Sequence, residues 1–216
     1  MPPEAPSPAP ATPGLQPLAL GERRDGLLYV PAGYDARQPA PLVLMLHGAG
    51  GDARGGLDPL LRIADDQGLI LVAPASRDAT WDRIVGSYGP DVATIDRALG
   101  RTFSGLNVDR SRVAVGGFSD GASYALSLGL GNGDLFTHVI AFSPGFVARG
   151  PTRGKPWIFV SHGTHDDVLP ISATSRRILR DLREDGYDVR FREFDGGHAV
   201  PAHVGEEAVA WFLEGR

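Results

Sequence analysis

The chain of 216 residues contains no cysteine. That absence excludes disulfides, thiolate nucleophiles and thiolate-held metals, and it fits a reducing compartment while leaving secretion open. Long apolar runs are also missing: none approaches the roughly 18 residues that cross a bilayer, so no membrane span is expected. Basic excess is absent as well. Against 26 Asp and Glu stand 21 Lys and Arg, a net charge of −5, with the two signs interleaved along the chain. No basic stripe is available to neutralise phosphates, which argues against nucleic acid and anionic membrane as partners. The N-terminus has neither a basic start nor an apolar centre, so no signal or transit peptide is visible and a cytoplasmic location is favoured. Composition says nothing about oligomeric state.

Proline crowds the start of the chain, at Pro2, Pro3, Pro6, Pro8, Pro10, Pro13 and Pro17. Each removes a backbone donor and fixes φ, so residues 1–17 are expected to form a disordered or polyproline-like tail. The remaining residues, 18–216, suit a single domain with a substantial core.

Within that domain, apolar runs of strand length recur at 27–30, 42–46, 69–73, 112–116, 138–142, 157–161 and 188–194. Most are apolar throughout, as strands buried on both faces are. Segments with helical spacing lie between them, at 57–67, 91–103, 121–130, 172–185 and 204–213. In the fourth of these, Ile178 and Leu182 share a face while Arg176, Arg177, Arg180, Asp181, Arg183 and Glu184 decorate the other side. The alternation predicts an α/β fold, a mostly parallel sheet with helices on both faces. Residues 144–156, between the strands at 138–142 and 157–161, are too few for an inserted cap domain. An open site follows from that.

Chemistry enters at Gly117-Phe118-Ser119-Asp120-Gly121, between an apolar strand and a helical segment. A serine on such a sharp turn, flanked by glycines, exposes its hydroxyl as a nucleophile. It needs a base and a carboxylate to orient that base. Two neighbouring acids, Asp166 and Asp167, follow the strand at 157–161, and His198 follows the strand at 188–194. The order Ser, Asp, His along the chain is that of one of the three common serine-triad folds. The turn His47-Gly48-Ala49-Gly50-Gly51, after the strand at 42–46, can aim a backbone N–H at a developing oxyanion, with the N–H of Asp120 as the second donor. The other histidines read differently. His47 and His162 each precede a glycine at a strand end, where an imidazole holds a loop; His138 and His203 read as structural or solvated. His162 and His165 beside the two acids admit a metal site only with a further remote ligand, and no metal is expected.

These motifs, with His162-Gly163-Thr164-His165-Asp166-Asp167-Val168-Leu169-Pro170 and Gly197-His198, resemble the α/β-hydrolase superfamily. More narrowly they resemble the small esterases of the phospholipase/carboxylesterase type, with similarity also to polyhydroxybutyrate-depolymerase-like and feruloyl-esterase-like proteins, over roughly residues 27 to 214. The resemblance implies an α/β-hydrolase fold without a cap domain. It implies a serine carboxylesterase that works through an acyl-enzyme, on a small-molecule or extended ester, with no cofactor. It makes Ser119, Asp166 and His198 the catalytic set, Asp166 being the acid that matches His-Gly-x-x-Asp-x-x-x-Pro. It places the first oxyanion donor after the His-Gly pair, at Ala49, with Gly48 or Gly50 as alternatives. Trp81 matches a tryptophan near the substrate in depolymerase-like relatives, and Phe146 and Val168 are candidate apolar walls of the acyl pocket. Asp120 departs from the glutamine, histidine, methionine or alanine common after the nucleophile; its carboxylate must point away, be solvated or be paired. An uncapped cleft predicts short acyl chains. The same triad also serves thioester, lysophospholipid, polyester or peptide cleavage, and a silent hydrolase-fold binding protein is the alternative from another class.

Overall fold

A computed structural model of the chain describes residues 12–148 and 150–214. Eight strands and six helices alternate along it: β1 (Gly14–Pro17), β2 (Leu27–Val30), β3 (Ala40–Leu46), α1 (Ala53–Leu61), β4 (Ile70–Ala73), α2 (Asp82–Val85), α3 (Pro90–Gly105), β5 (Val108–Phe118), α4 (Asp120–Gly131), β6 (His138–Phe142), β7 (Trp157–Gly163), α5 (Ser175–Glu184), β8 (Val189–Phe194) and α6 (Ala202–Leu213). They form one sheet in the order β1-β2-β4-β3-β5-β6-β7-β8. The pairs β1/β2 and β2/β4 are antiparallel, and all others are parallel. This is the mostly parallel α/β sheet that the alternation predicts.

The two-residue period of a strand explains the layers. Leu42, Leu44 and Leu46 of β3 pack on one side with Ile95, Leu99, Leu126, Ile178 and Leu182 from α3, α4 and α5. Val43 and Met45 face the other way, onto Leu57, Leu60, Val204, Val209 and Phe212 from α1 and α6. Both faces of the central strands are therefore buried, as their unbroken apolar runs require.

The structure corrects the boundary of the tail. Gly14–Pro17 are not irregular but pair antiparallel with β2, Gly14 opposite Val30 and Pro17 opposite Leu27. Proline is tolerated because β1 is an edge strand, where one N–H has no ladder partner to lose. Leu18, only 1% exposed, continues straight into the core. Residues 1–11 of the expected tail lie outside the described residues.

Helix α1 also differs from its sequence reading, starting earlier and ending at Leu61. Asp52 caps its start by accepting from Gly55 N–H at 2.9 Å. Past its end, Ile63 N–H bonds Leu60 O and Ala64 N–H bonds Leu61 O, tighter i→i+3 turns that bring the chain to Gly68 at φ +62°. The β6–β7 connection, residues 143–156, holds neither helix nor strand among its described residues, so no cap is built there.

Candidate active site

Ser119 stands between β5 and α4 with φ +56° and ψ −118°. A side chain in that region is strained, and it persists only where its surroundings hold it. Ser119 N–H donates to Phe142 O at 2.9 Å, and Ser119 O accepts from Ser123 N–H at 3.0 Å. The flanking glycines are needed sterically. A Cβ on Gly117 would lie 2.5 Å from Gly121 C and O, and one on Gly121 would lie 2.1 Å from Leu46 O. The spacing Gly-x-Ser-x-Gly thus lets the start of α4 press against the end of β3.

His198 comes from the loop after β8 and Asp166 from the loop after β7, both at the same sheet end as Ser119. His198 Nε2 lies 2.9 Å from Ser119 Oγ, and His198 Nδ1 lies 2.6 Å from Asp166 Oδ2. A carboxylate only accepts, so Nδ1 carries the proton and Nε2 keeps a lone pair toward the serine hydroxyl. Phe118 packs against the imidazole, ring centroids 4.7 Å apart. Asp166 is 5% exposed, and its Oδ1 accepts from Val168 N–H at 3.0 Å and Leu169 N–H at 2.7 Å. Burial pushes its carboxyl up, but the Leu169 N–H and His198 bonds outweigh that and hold it below the usual carboxylate range. Asp167 is exposed on the same loop. The two neighbours are thereby separated: one meets His198 and the other faces solvent.

Two further histidines hold the loops in place. His47 Nε2 accepts from Ser76 N–H at 3.0 Å while Nδ1–H donates to Gly48 O at 2.7 Å. His162 Nδ1 accepts from Ser175 Oγ at 2.6 Å, and its Nε2–H points to Leu169 O at 2.7 Å. Burial holds both imidazoles below their ordinary pKa, hence neutral. A metal reading of His162 and His165 therefore loses its donors, since both His162 nitrogens are engaged and His165 pairs with Asp195 at 3.0 Å.

In the glycine-rich turn, Gly50 N–H donates to Ala79 O at 2.6 Å and Gly51 N–H to Gly48 O at 3.1 Å. Both are committed elsewhere. That removes Gly50 as an alternative to Ala49. Asp120 opens α4, where backbone N–H groups have no intrahelical acceptor. Its carboxylate is paired: Thr80 Oγ1–H donates to Asp120 Oδ2 at 2.7 Å.

The reading of Trp81 as a substrate contact is corrected. Its side chain is 0% exposed, wedged between His47 and Tyr124 with ring centroids 4.8 and 5.3 Å away. Its Nε1–H donates to His47 O at 2.8 Å, so it braces the turn from beneath. The indole is buried because its one donor finds a partner there. Phe146 and Val168 remain accessible, 38% and 61% exposed, on the loops leaving β6 and β7. A cavity of about 810 Å³ lies between α4, α5 and the loop residues Val147, Ala148, Gly150, Pro151 and Thr152, and none of Ser119, Asp166 and His198 lines it.

Several residues escaped the sequence reading. Asp82 and Asp91 exchange bonds, Asp82 N–H to Asp91 Oδ2 at 2.8 Å and Asp91 N–H to Asp82 Oδ2 at 2.9 Å, while Tyr124 donates to Asp82 Oδ1 at 3.0 Å. Arg24 bridges Gly51 O and Asp78 O, clamping the glycine-rich turn to the β4–α2 loop. The partners of Tyr124 and Arg24 lie far apart from them in sequence, and only the first-turn acids of α2 and α3, Asp82 and Asp91, leave a local trace.

Residues 91–211 match the phospholipase/carboxylesterase family. A probable feruloyl esterase C of Aspergillus oryzae and the feruloyl esterase C of Emericella nidulans are each 27% identical over 216 positions, covering 84% of this chain and 79% of the relative. The solved structure of the esterase PE8 superposes with a TM-score of 0.70 at 26% identity, covering 88% of this chain and 97% of that one.

Proposed function

This chain belongs to the phospholipase/carboxylesterase family and is an α/β-hydrolase that cleaves carboxylic esters, and on that premise we propose that it does so through an acyl-enzyme on Ser119, His198 and Asp166. The observation that carries the proposal is the continuous chain of short contacts, Ser119 Oγ to His198 Nε2 at 2.9 Å and His198 Nδ1 to Asp166 Oδ2 at 2.6 Å. Ser119 Oγ attacks the ester carbonyl carbon as its proton passes to His198 Nε2. Asp166 holds the imidazole and stabilises the imidazolium that forms. The oxyanion is met by the N–H groups of Ala49 and Asp120. Collapse of the tetrahedral species transfers the proton from His198 to the departing alcohol, and water then attacks the acyl-serine by the same route in reverse.

Substrate choice rests on the open loops. Phe146 and Val168 offer apolar surface at the rim without a cap above it. Each buried methylene contributes about 0.8 kcal/mol, but an uncapped cleft covers only the first carbons of an acyl chain. Short acyl esters are therefore the preferred class, turned over without a jump in rate when substrate aggregates. The similarity to feruloyl esterases makes a feruloyl ester the first aromatic member to test.

A fluorophosphonate probe and an ester panel test this reading. Stoichiometric labelling at Ser119, with turnover of p-nitrophenyl acetate or butyrate above palmitate, is expected. A folded chain that takes no label is a binding protein on a hydrolase scaffold. A marked preference for a thioester, lysophospholipid, polyester or peptide moves the activity to that bond.

A further inference from the structure

Asp120 carries two opposed groups. Its backbone N–H is a candidate oxyanion donor, while its carboxylate is a full negative charge on the residue next to the nucleophile. A negative charge near a developing oxyanion raises the barrier, and the effect is large where water is scarce. The carboxylate is not left loose, because Thr80 Oγ1–H donates to Asp120 Oδ2 at 2.7 Å.

Thr80 is itself firmly held. The residue before it, Ala79, accepts from Gly50 N–H at 2.6 Å. The residue after it, Trp81, donates from Nε1–H to His47 O at 2.8 Å and is fully buried. Ser76, at the head of the same loop, donates its N–H to His47 Nε2 at 3.0 Å. The hydroxyl that meets Asp120 thus sits on a segment pinned three times to the glycine-rich turn that would supply the other oxyanion donor.

We propose that Thr80 is a positioning residue for the oxyanion hole: its hydroxyl holds the Asp120 carboxylate on the loop side, off the developing oxyanion, and leaves Asp120 N–H to donate. The inference rests on the esterase reading above. It also gives the acid a use. A carboxylate at the start of α4 suits the helix dipole, and the bond to Thr80 ties the β4–α2 loop to the nucleophile helix across 40 residues of sequence.

The test is a pair of backgrounds. Thr80→Val removes the hydroxyl at nearly constant shape, and kcat for p-nitrophenyl acetate should fall about tenfold with KM within about twofold, since the charge opposes only the transition state. Thr80→Ser should restore most of that loss. In an Asp120→Asn background, where no negative charge is left to restrain, Thr80→Val should cost less than about twofold. An equal penalty in both backgrounds, or no penalty in a folded Thr80→Val protein, overturns the proposal. Should Thr80→Val fail to fold, Thr80→Ala carries the same comparison; failure of both with either residue at 120 makes Thr80 a folding residue and also overturns it. Absence of ester turnover and of fluorophosphonate labelling in the unaltered chain overturns the esterase reading itself, whereas an active chain indifferent to Thr80 removes only this inference.

Discussion

Gly121 lies so close to Leu46 that a Cβ on the glycine would meet the leucine carbonyl at 2.1 Å and His47 O at 2.6 Å. Both obstacles are backbone, so neither can swing aside. Gly121→Ala must push α4 away from β3 and with it the strained Ser119. A destabilisation above about 3 kcal/mol is expected, together with loss of esterase activity in whatever protein folds. Thermal melts and turnover of a short ester check this; a near-normal melting temperature would mean that α4 has slack.

Asp166→Asn should cost far more in kcat than Asp167→Asn. Only Asp166 reaches His198, at 2.6 Å, and an amide there can donate to Nδ1 and favour the wrong tautomer. Asp167 is exposed. Kinetics on both variants, with melts to confirm folding, decide it; equal losses would reassign the acid.

Trp81→Phe keeps an aromatic ring, smaller than the indole, but deletes the donor to His47 O. The buried carbonyl loses its partner, which costs about 1–3 kcal/mol, and the glycine-rich turn loosens. The expected result is a lower kcat with little change in KM. A large KM effect with unchanged kcat would restore the tryptophan to the role of a substrate contact.

Stability should fall as pH drops below about 6.5, the ordinary imidazole value. His47 and His162 are held neutral by burial, each with one ring nitrogen accepting a hydrogen bond. Between the ordinary value and the lower folded value, the unfolded chain binds more protons, so their contribution is complete above about 6.5 and is lost as pH falls through that window. Asp166, also lowered, adds a further loss when acid titrates it below the ordinary carboxylate range. Asp91, raised by burial, works in the opposite sense, since charging it in the folded state is disfavoured as pH rises. Urea melts from pH 8 to pH 4 measure the sum; a flat profile between 7.5 and 5 would mean that the buried imidazoles accept protons without losing their bonds.

Deletion of residues 1–17 removes all of β1 and its four pairs with β2. A cut after residue 11 keeps them. The longer deletion should lower the melting temperature by several degrees relative to the shorter, with esterase activity retained at low temperature because β1 lies at the far edge from β5. Identical melts for both truncations would make the edge strand energetically idle.

Much of this architecture was legible because it is written locally. Apolar runs of strand length name the central strands, since burial on both faces leaves no room for alternation. The turn around Ser119 is legible because its two glycines answer a steric demand within five residues. Asp166 and His198 follow strands, and parallel strands deliver the residues after them to one end of the sheet. What the sequence could not decide are the partners across long separations. Pro13 and Pro17 suggest an irregular tail, yet an edge position with one idle hydrogen-bonding side lets 14–17 join the sheet. Trp81 looks equally suited to a cleft or a core until the His47 carbonyl appears above its indole N–H. Thr80 and Asp120, 40 residues apart, carry no mutual signal at all. Side-chain hydrogen bonds of that kind depend on distances between elements being met to within a few tenths of an ångström, and only the packed sheet and helices set those distances.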